Sequence, residues 1–238
     1  MSRPSLKFYC FSPAVMAATF VIETAGAFWV LIRYRFDITA KLIVALLLCL
    51  GLFQLAEYMV CEGAFGISSL DWARIGYVAI TALPPLGLHL GMTIAGRRNG
   101  WLLAFAYGSG LAFALFFLFT GQGMQSHICL GNYVIFKIAP YAVKLYAMYY
   151  YGWLLAGLAA MSGWREKMKR SDRRAALGWL MVGYTAFIVP TTLINIANPE
   201  TIAGIPSIMC GFAVLLALVL IFRVAPLTLK QRSWGRRA

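Results

Sequence analysis

The chain has 238 residues, of which 61% are hydrophobic and 12% are charged. Soluble domains contain roughly 45–50% apolar and about 25% charged residues, so this balance excludes a water-soluble fold. The formal net charge of +13 lies mostly in short segments between long apolar runs. That arrangement is typical of loops that face anionic lipid, and it argues against a nucleic-acid-binding surface.

Seven apolar stretches predict seven transmembrane helices, because each is near the roughly 20 residues that a helix needs to cross a bilayer. They lie at about 12–33, 40–62, 75–96, 101–120, 137–161, 175–197 and 203–225. The first stretch has no small-residue cleavage site behind it, so we expect a span and not a signal peptide. The predicted fold is all-α: one seven-helix transmembrane domain over residues 1–238.

The charges of the loops predict the orientation of the bundle. Basic residues follow the odd-numbered spans, at Arg33, Arg35, Lys41, Arg97, Arg98, 165–174 and 230–237. The other loops carry Glu62, Asp71 and Glu200. Because positive loops stay in the cytoplasm, we expect the N-terminus outside and the C-terminus inside. The expected location is a cell membrane, the bacterial inner membrane, with the lipid bilayer as partner.

Residues 164–174 form the densest basic cluster of the chain. This loop could bind an acidic signalling or membrane partner protein, or phosphoinositide-like headgroups. The simpler interpretation is a topology signal with generic lipid contact.

Four ionisable residues fall inside apolar spans: Glu23, Glu57, His89 and Lys144. Each costs roughly 2.5–3.5 kcal/mol on insertion scales, which makes each a functional candidate. On the second span, Gln54, Glu57, Tyr58 and Cys61 share one helical face because of their i, i+3, i+4, i+7 spacing. The fifth span adds Tyr141 beside Lys144, and the sixth adds Asn195.

The rise of about 1.5 Å per residue places Glu57, Lys144 and Asn195 within about two turns of the outer surface. The three could therefore line one outward-opening pocket, with Glu23 near mid-membrane. An ion pair between Glu57 and Lys144 would neutralise both charges in a low dielectric. Three interpretations stay open: a pair that only fixes helix register, a ligand pocket, and a proton or ion path.

His89 follows Pro84 and Pro85 on the third span. A proline pair frees backbone carbonyls and permits a kink, and a kink beside an ionisable group is a candidate switch. The alternative is a neutral imidazole that is hydrogen-bonded to a neighbouring helix.

Three cysteines, Cys10, Cys61 and Cys129, map to the outer face. In an oxidising periplasm one disulfide is plausible, between Cys129 and either Cys61 or Cys10; the alternative is unbonded thiols. A metal site that includes His127 and Cys129 is a weaker hypothesis, since the spacing matches no compact metal motif. The Gly- and polar-rich segment 121–132 suggests an ordered cap. The sequence identifies no cofactor.

The stretch Trp72 to Tyr77, which leads to Leu83, Pro84 and Pro85, resembles the N-terminal seven-helix sensory region of bacterial histidine kinases. Glu57 and Tyr58 on the preceding span are part of this likeness, which covers the second and third spans. The resemblance implies a receptor with an outer N-terminus, coupled to a cytoplasmic kinase or cyclase.

A second likeness rests on Cys10, Phe11 and Ser12 together with Gln54 and Glu57. These residues resemble a family of small, uncharacterised bacterial membrane proteins that open with Cys-Phe-Ser and carry Gln-x-x-Glu on the second span. The likeness implies that Cys10 and Glu57 lie at similar depth near the outer surface.

Two classes of seven-helix protein, one enzymatic and one pigment-binding, are disfavoured because the chain lacks the residues that their sites require. A seven-helix zinc hydrolase needs several His and Asp ligands, whereas the chain has two histidines that we place in opposite halves of the membrane. A retinal protein needs a lysine in the last span, and residues 203–222 contain none. We therefore expect no enzyme but a receptor or accessory subunit that binds a small ligand or partner from outside. The alternative is a secondary transporter or ion-coupled carrier.

Overall fold

The computed structural model describes residues 13–63, 66–121, 123, 126–130, 133–197 and 205–232. Helices dominate it, and successive helices are joined by short loops. They are α1 (Pro13–Arg33), α2 (Ile38–Glu62), α3 (Ser69–Thr81), α4 (Leu83–Ala95), α5 (Gly100–Phe119), α6 (Pro140–Glu166), α7 (Ser171–Ala197), α8 (Ile205–Val219) and α9 (Ala225–Thr228). A π-helical turn, Leu220–Val224, joins α8 to α9.

Six helical segments of the described chain are long and apolar enough to cross a membrane. They are 14–33, 38–62, 69–95, 100–119, 171–194 and 211–228. A multi-pass membrane bundle is thus confirmed at the level of length and composition. The segment α6 is not among these six apolar segments. It has 27 residues, the same length as α7, and it packs against α4, α5 and α7.

Side chains in the short loops set the beginnings of several helices. Asp37 accepts a hydrogen bond from the Ala40 amide at 2.9 Å, and Asn99 accepts one from the Leu102 amide at 3.1 Å. Ser68 does the same for Asp71 at the start of α3. At the other end of α4, Gly96 adopts a left-handed conformation with φ of 67°, which glycine takes without a Cβ clash.

The connection between α5 and α6 forms an antiparallel hairpin of β1 (Ser126–Leu130) and β2 (Tyr133–Lys137), in which Ser126 pairs with Lys137. The fifth predicted span, from about residue 137, corresponds to α6, which begins at Pro140. Proline is favoured at the first position of a helix because no partner is needed there for its missing N–H. The β-branched and aromatic residues of Tyr133–Lys137 favour a strand.

Phe136 attaches this hairpin to the bundle. Its ring is buried between Phe53 of α2 and Tyr77 of α3, with centroid distances of 6.4 Å and 5.2 Å. The hairpin also contacts α8. It therefore covers the end of the bundle at which α2 ends and α3 begins.

The third predicted span is interrupted next to the proline pair: α3 ends at Thr81 and α4 begins at Leu83. In an unbroken helix the Thr81 carbonyl would accept from the amide of residue 85, but Pro85 has no N–H. The hydroxyl of Tyr149 donates to that carbonyl instead, at 2.7 Å. The Thr81 hydroxyl lies 3.0 Å from the Tyr146 hydroxyl, so two tyrosines of α6 hold the break.

The C-terminal segment after α9 closes the opposite end of the bundle. The Arg35 amide donates to the Lys230 carbonyl, and the Arg232 amide donates to the Arg33 carbonyl, both at 2.9 Å. The loop between α1 and α2 therefore lies beside residues 229–232, at the end away from the hairpin.

Replacing Phe136 with alanine should loosen the hairpin. Loss of a buried phenylalanine costs roughly 3–5 kcal/mol, so we expect a lower free energy of unfolding in SDS and detergent mixed micelles. Phe119→Ala is the matched control, because that ring is 80% exposed on the bundle surface. Equal losses in the two variants would contradict the described attachment.

Replacing Tyr149 with phenylalanine should destabilise the bundle by about 1–3 kcal/mol, because the Thr81 carbonyl then has no donor. In a Pro85→Ala background residue 85 regains an amide, so the same change should cost less. The double-mutant cycle of unfolding free energies measures the difference. Tyr184→Phe is the control: in the described part of the chain that buried hydroxyl has no hydrogen-bond partner. A Tyr149→Phe effect that is independent of Pro85 would overturn the explanation.

Candidate functional site

The contact between α1 and α2 buries a carboxylic acid. The buried positions of α1 recur with helical spacing and form one stripe: Met16, Thr19, Glu23, Ala27 and Val30. Gly51 of α2 lets the two helices approach at the level of Glu23. The Cβ that another residue would carry at position 51 lies 3.6 Å from Glu23 Cβ and 3.2 Å from Thr24 Oγ1. The absence of a side chain at residue 51 therefore relieves a tight contact with Thr24 and lets α1 and α2 pack closely beside Glu23.

Two further buried polar residues, Gln54 and Glu57, lie on α2 between Gly51 and the hairpin end of the helix. We call Glu23, Gln54 and Glu57 together the acidic column. Because α2 rises about 1.5 Å per residue, Gln54 and Glu57 lie about 4.5 Å and 9 Å beyond Gly51 along the helix. All three side chains are buried, with exposed fractions of 0%, 2% and 1%. The sequence correctly indicates that Gln54 and Glu57 face into the bundle.

Glu23 differs from the other members of the acidic column. Both of its carboxyl oxygens are buried and have no hydrogen-bond partner among the described residues. Gln54 and Glu57 each make a polar or electrostatic interaction. Thr19, one turn from Glu23, donates its hydroxyl to the Met16 carbonyl of its own helix at 2.9 Å. An ionised carboxylate without a partner costs several kcal/mol in a low dielectric, so Glu23 needs a proton or a bound cation.

The ion pair considered for Glu57 and Lys144 is not among the ion pairs of the described residues. Glu57 is buried, whereas Lys144 lies on the exposed surface of α6 between Val143 and Leu145, which are also exposed. Lys144 is one turn from the start of α6, where a lysine stem can extend its ammonium to the membrane surface. The ion pair found in the described part of the chain joins Arg74 to Asp71 at 2.8 Å, at the beginning of α3.

The outward-opening pocket expected around Glu57 and Lys144 is therefore not assembled. Tyr141 is 54% exposed and lines an apolar groove of about 240 Å³ between α5 and α6. Tyr58 is half-buried on α2. The side chain of Asn195 lies outside the described part of the chain.

His89 makes a hydrogen bond to the neighbouring helix α5, as one of the two interpretations predicts. Its Nδ1 lies 3.0 Å from the Tyr107 hydroxyl, and the two rings meet edge to face. Pro84 and Pro85, one to two turns earlier, are buried. The switch hypothesis for these residues remains a prediction.

Cys61 is disulfide-bonded. The side chains of Cys10, Cys129 and His127 lie outside the described residues, so the pairing and the weaker metal hypothesis remain predictions. Within the described residues, no group of three His, Cys, Asp or Glu could hold a metal ion. Cys49, half-buried on α2, is free.

Sequence reasoning missed two features of the bundle. One is the pair Tyr146 and Tyr149 at the Thr81 carbonyl; the spacing of Thr81 and Pro85 already indicated a carbonyl in need of a donor. The other is a groove between α6 and α7 that is lined by Arg165 and Trp179. No sequence pattern distinguishes Arg165 from the other arginines nearby.

The fold and the acidic column define the class of the chain: a multi-pass helical membrane protein with a buried carboxylic acid on each of its first two helices. No family model, curated protein or solved structure matches the chain. The candidate function therefore depends on its own residues.

The unpartnered state of Glu23 can be measured by infrared spectroscopy. Without a bound cation we expect the C=O stretch of a protonated carboxylic acid at neutral pH, because ionisation of a buried, unpaired group is costly. Glu23→Gln should remove this band. Glu62→Gln should leave it, since Glu62 is exposed at the end of α2. A spectrum of purified protein that is unchanged by Glu23→Gln would contradict the assignment.

Proposed function

We propose that the chain is a membrane receptor or accessory subunit that binds a small cationic ligand, or a cationic group of a partner, from the outer side. The binding groups are the carboxyls of the acidic column. The observation that carries this proposal is Glu23, fully buried with both carboxyl oxygens unpartnered in the described chain. A positively charged group would supply the partner that the described residues do not.

The proposal includes seven spans, with α6 as the fifth, and an outer N-terminus. Its support is the separation of charge between the two ends of the bundle. Described basic residues gather at the end away from the hairpin: Arg33, Arg35, Lys41, Arg97, Arg98, Arg165, Lys167, Lys169, Arg170, Arg173, Arg174, Lys230 and Arg232. Positive loops remain in the cytoplasm. The disulfide of Cys61 lies at the hairpin end, as an oxidising compartment such as the periplasm favours.

The acidic column is nearest to the outer surface at Glu57, one turn before Cys61. The hairpin covers this end, with Phe136 seated between α2 and α3. A ligand that reaches Glu57 has to displace part of that cover. Binding would then move the hairpin, and a local rearrangement of this kind is how a receptor responds to its ligand.

The resemblance of the second and third spans to kinase sensory regions favours the same role. In this proposal the acidic column is the sensing site, and a signalling partner would meet the cytoplasmic loops. The basic loop 164–174 is the candidate surface for such an acidic partner.

The alternative is an ion-coupled carrier, and the depth of Glu23 favours it. Glu23 lies in the middle of α1, ten residues from each end of the helix. A carboxyl at that depth, without a hydrogen bond from the described residues, can accept and release a proton, as carriers require. The two functions share the site and differ in whether an ion crosses the membrane.

Ligand binding can be tested on purified protein in detergent with sodium, potassium, tetramethylammonium and putrescine as probes. We expect one of these cations to raise the unfolding temperature, since a ligand at 100 times its Kd adds about 2.7 kcal/mol. Glu23→Gln and Glu57→Gln should each abolish the shift. Lys144→Gln is the matched control and should retain it, because Lys144 lies on the exposed face of α6.

One set of results would contradict the ligand site, and a second assay distinguishes a receptor from a carrier. If no probe shifts the unfolding temperature, or if the shift survives both glutamate substitutions, the ligand site is wrong. Liposomes with a trapped pH indicator test the carrier: proton uptake driven by an imposed gradient, and lost in Glu23→Gln, would favour transport over reception.

A further inference from the structure

A groove of about 550 Å³ lies between the inner ends of α6 and α7. Arg165, in the last turn of α6, lines one end of it, and Thr185 of α7 lines the other. From Gly178 to Thr185 the wall follows α7 for about 10 Å, at a rise of about 1.5 Å per residue. The volume is within the range of about 300–1,000 Å³ that is typical of small-molecule sites.

Gly178 gives the Arg165 side chain its place against α7. A Cβ at position 178 would lie 3.0 Å from Arg165 Nε, a tight contact that glycine avoids. The ion pair of the described residues is at Arg74 and Asp71, and no acidic side chain among those residues pairs with Arg165. The guanidinium is therefore positioned by the helix backbone and available to an anion.

The groove changes from cationic to apolar along α7. Below Arg165 its wall consists of Met181 and Val182, and the Thr185 hydroxyl donates to backbone carbonyls of its own helix. Val182 is 49% exposed and opens the groove toward the surrounding lipid. On the far side, Arg223 stacks 4.9 Å from the Trp179 ring, which fixes that wall at the membrane interface.

The loop beside the groove strengthens the positive charge at this end. It carries Lys167, Lys169, Arg170, Arg173 and Arg174 against two acidic residues, Glu166 and Asp172. Such a cluster next to a membrane attracts anionic headgroups, and a guanidinium binds a phosphate through two parallel hydrogen bonds. An occupant that fits the whole groove combines a phosphate with an apolar chain.

We propose that this groove binds one anionic phospholipid, with its phosphate at Arg165 and an acyl chain along Met181 and Val182. A headgroup with net negative charge is selected over a zwitterionic one, because Arg165, which has no acidic partner among the described residues, attracts an uncompensated negative charge and repels the cation of a zwitterionic headgroup. The site is separate from the acidic column, whose members lie on α1 and α2.

Native mass spectrometry of the delipidated full chain tests this site with phosphatidylglycerol and phosphatidylcholine of identical acyl chains. We expect one phosphatidylglycerol bound about tenfold more tightly than phosphatidylcholine, the effect of roughly one charge-assisted contact. Arg165→Gln should remove this preference. Val182→Trp, which fills the apolar part, should weaken binding of both lipids.

Arg97→Gln is the matched control: it removes an exposed inner arginine that does not line the groove, and it should keep the preference. Equal affinity for the two lipids, or the same preference in Arg165→Gln as in the unsubstituted chain, would overturn the proposal. A loss in Arg97→Gln as large as in Arg165→Gln would replace it with nonspecific attraction. Full competition by glycerol 1-phosphate, which lacks acyl chains, would show a phosphate site without a lipid groove.

Discussion

The structure depends on one constraint: a polar group inside a bilayer must find its partner within the protein, because the lipid offers none. The break at Ala82 illustrates how the chain satisfies it. Pro85 removes the donor for the Thr81 carbonyl, and Tyr149 on a different helix replaces that donor. A local defect in one helix thus becomes a tie between two helices. The position of α6 against the α3 and α4 segments follows from a hydrogen bond that neither helix could make alone.

At Glu23 the described residues do not satisfy this constraint, because neither carboxyl oxygen has a hydrogen-bond partner among them. This contrast with the Thr81 carbonyl is the reason to regard Glu23 as a functional residue. Gly51 packs closely against α1 beside Glu23, so the burial of the carboxyl accompanies close packing of α1 and α2. A packing contact by itself would be served better by an apolar side chain, which costs nothing to bury. The carboxyl is therefore best understood as a group that takes up a proton or a cation.

The sequence predicts those features of the fold that depend on local forces, because such forces leave a pattern along the chain. Hydropathy locates the spans and proline locates the kink, because both act through the local chain. The rotation of α6 about its axis is different: lipid-facing and buried sides are both apolar, so Leu145 outside and Tyr146 inside carry no usable contrast. Lys144 was therefore placed inward although its stem reaches the surface. The boundary between the hairpin and α6 leaves no clear signal in the sequence, because the apolar residues before Pro140 fit either a strand or a helix.

The two candidate sites have opposite charge, and the proposed orientation of the bundle accounts for this difference. The loops that set orientation must be basic, so the inner end gains arginines whether or not a ligand uses them. Arg165 becomes a site only because Gly178 seats it beside an apolar groove. The acidic column cannot be explained by insertion, since buried carboxyls hinder it. Of the two, the column is therefore the feature that calls for a function, while the groove shows how a topology signal can also acquire one.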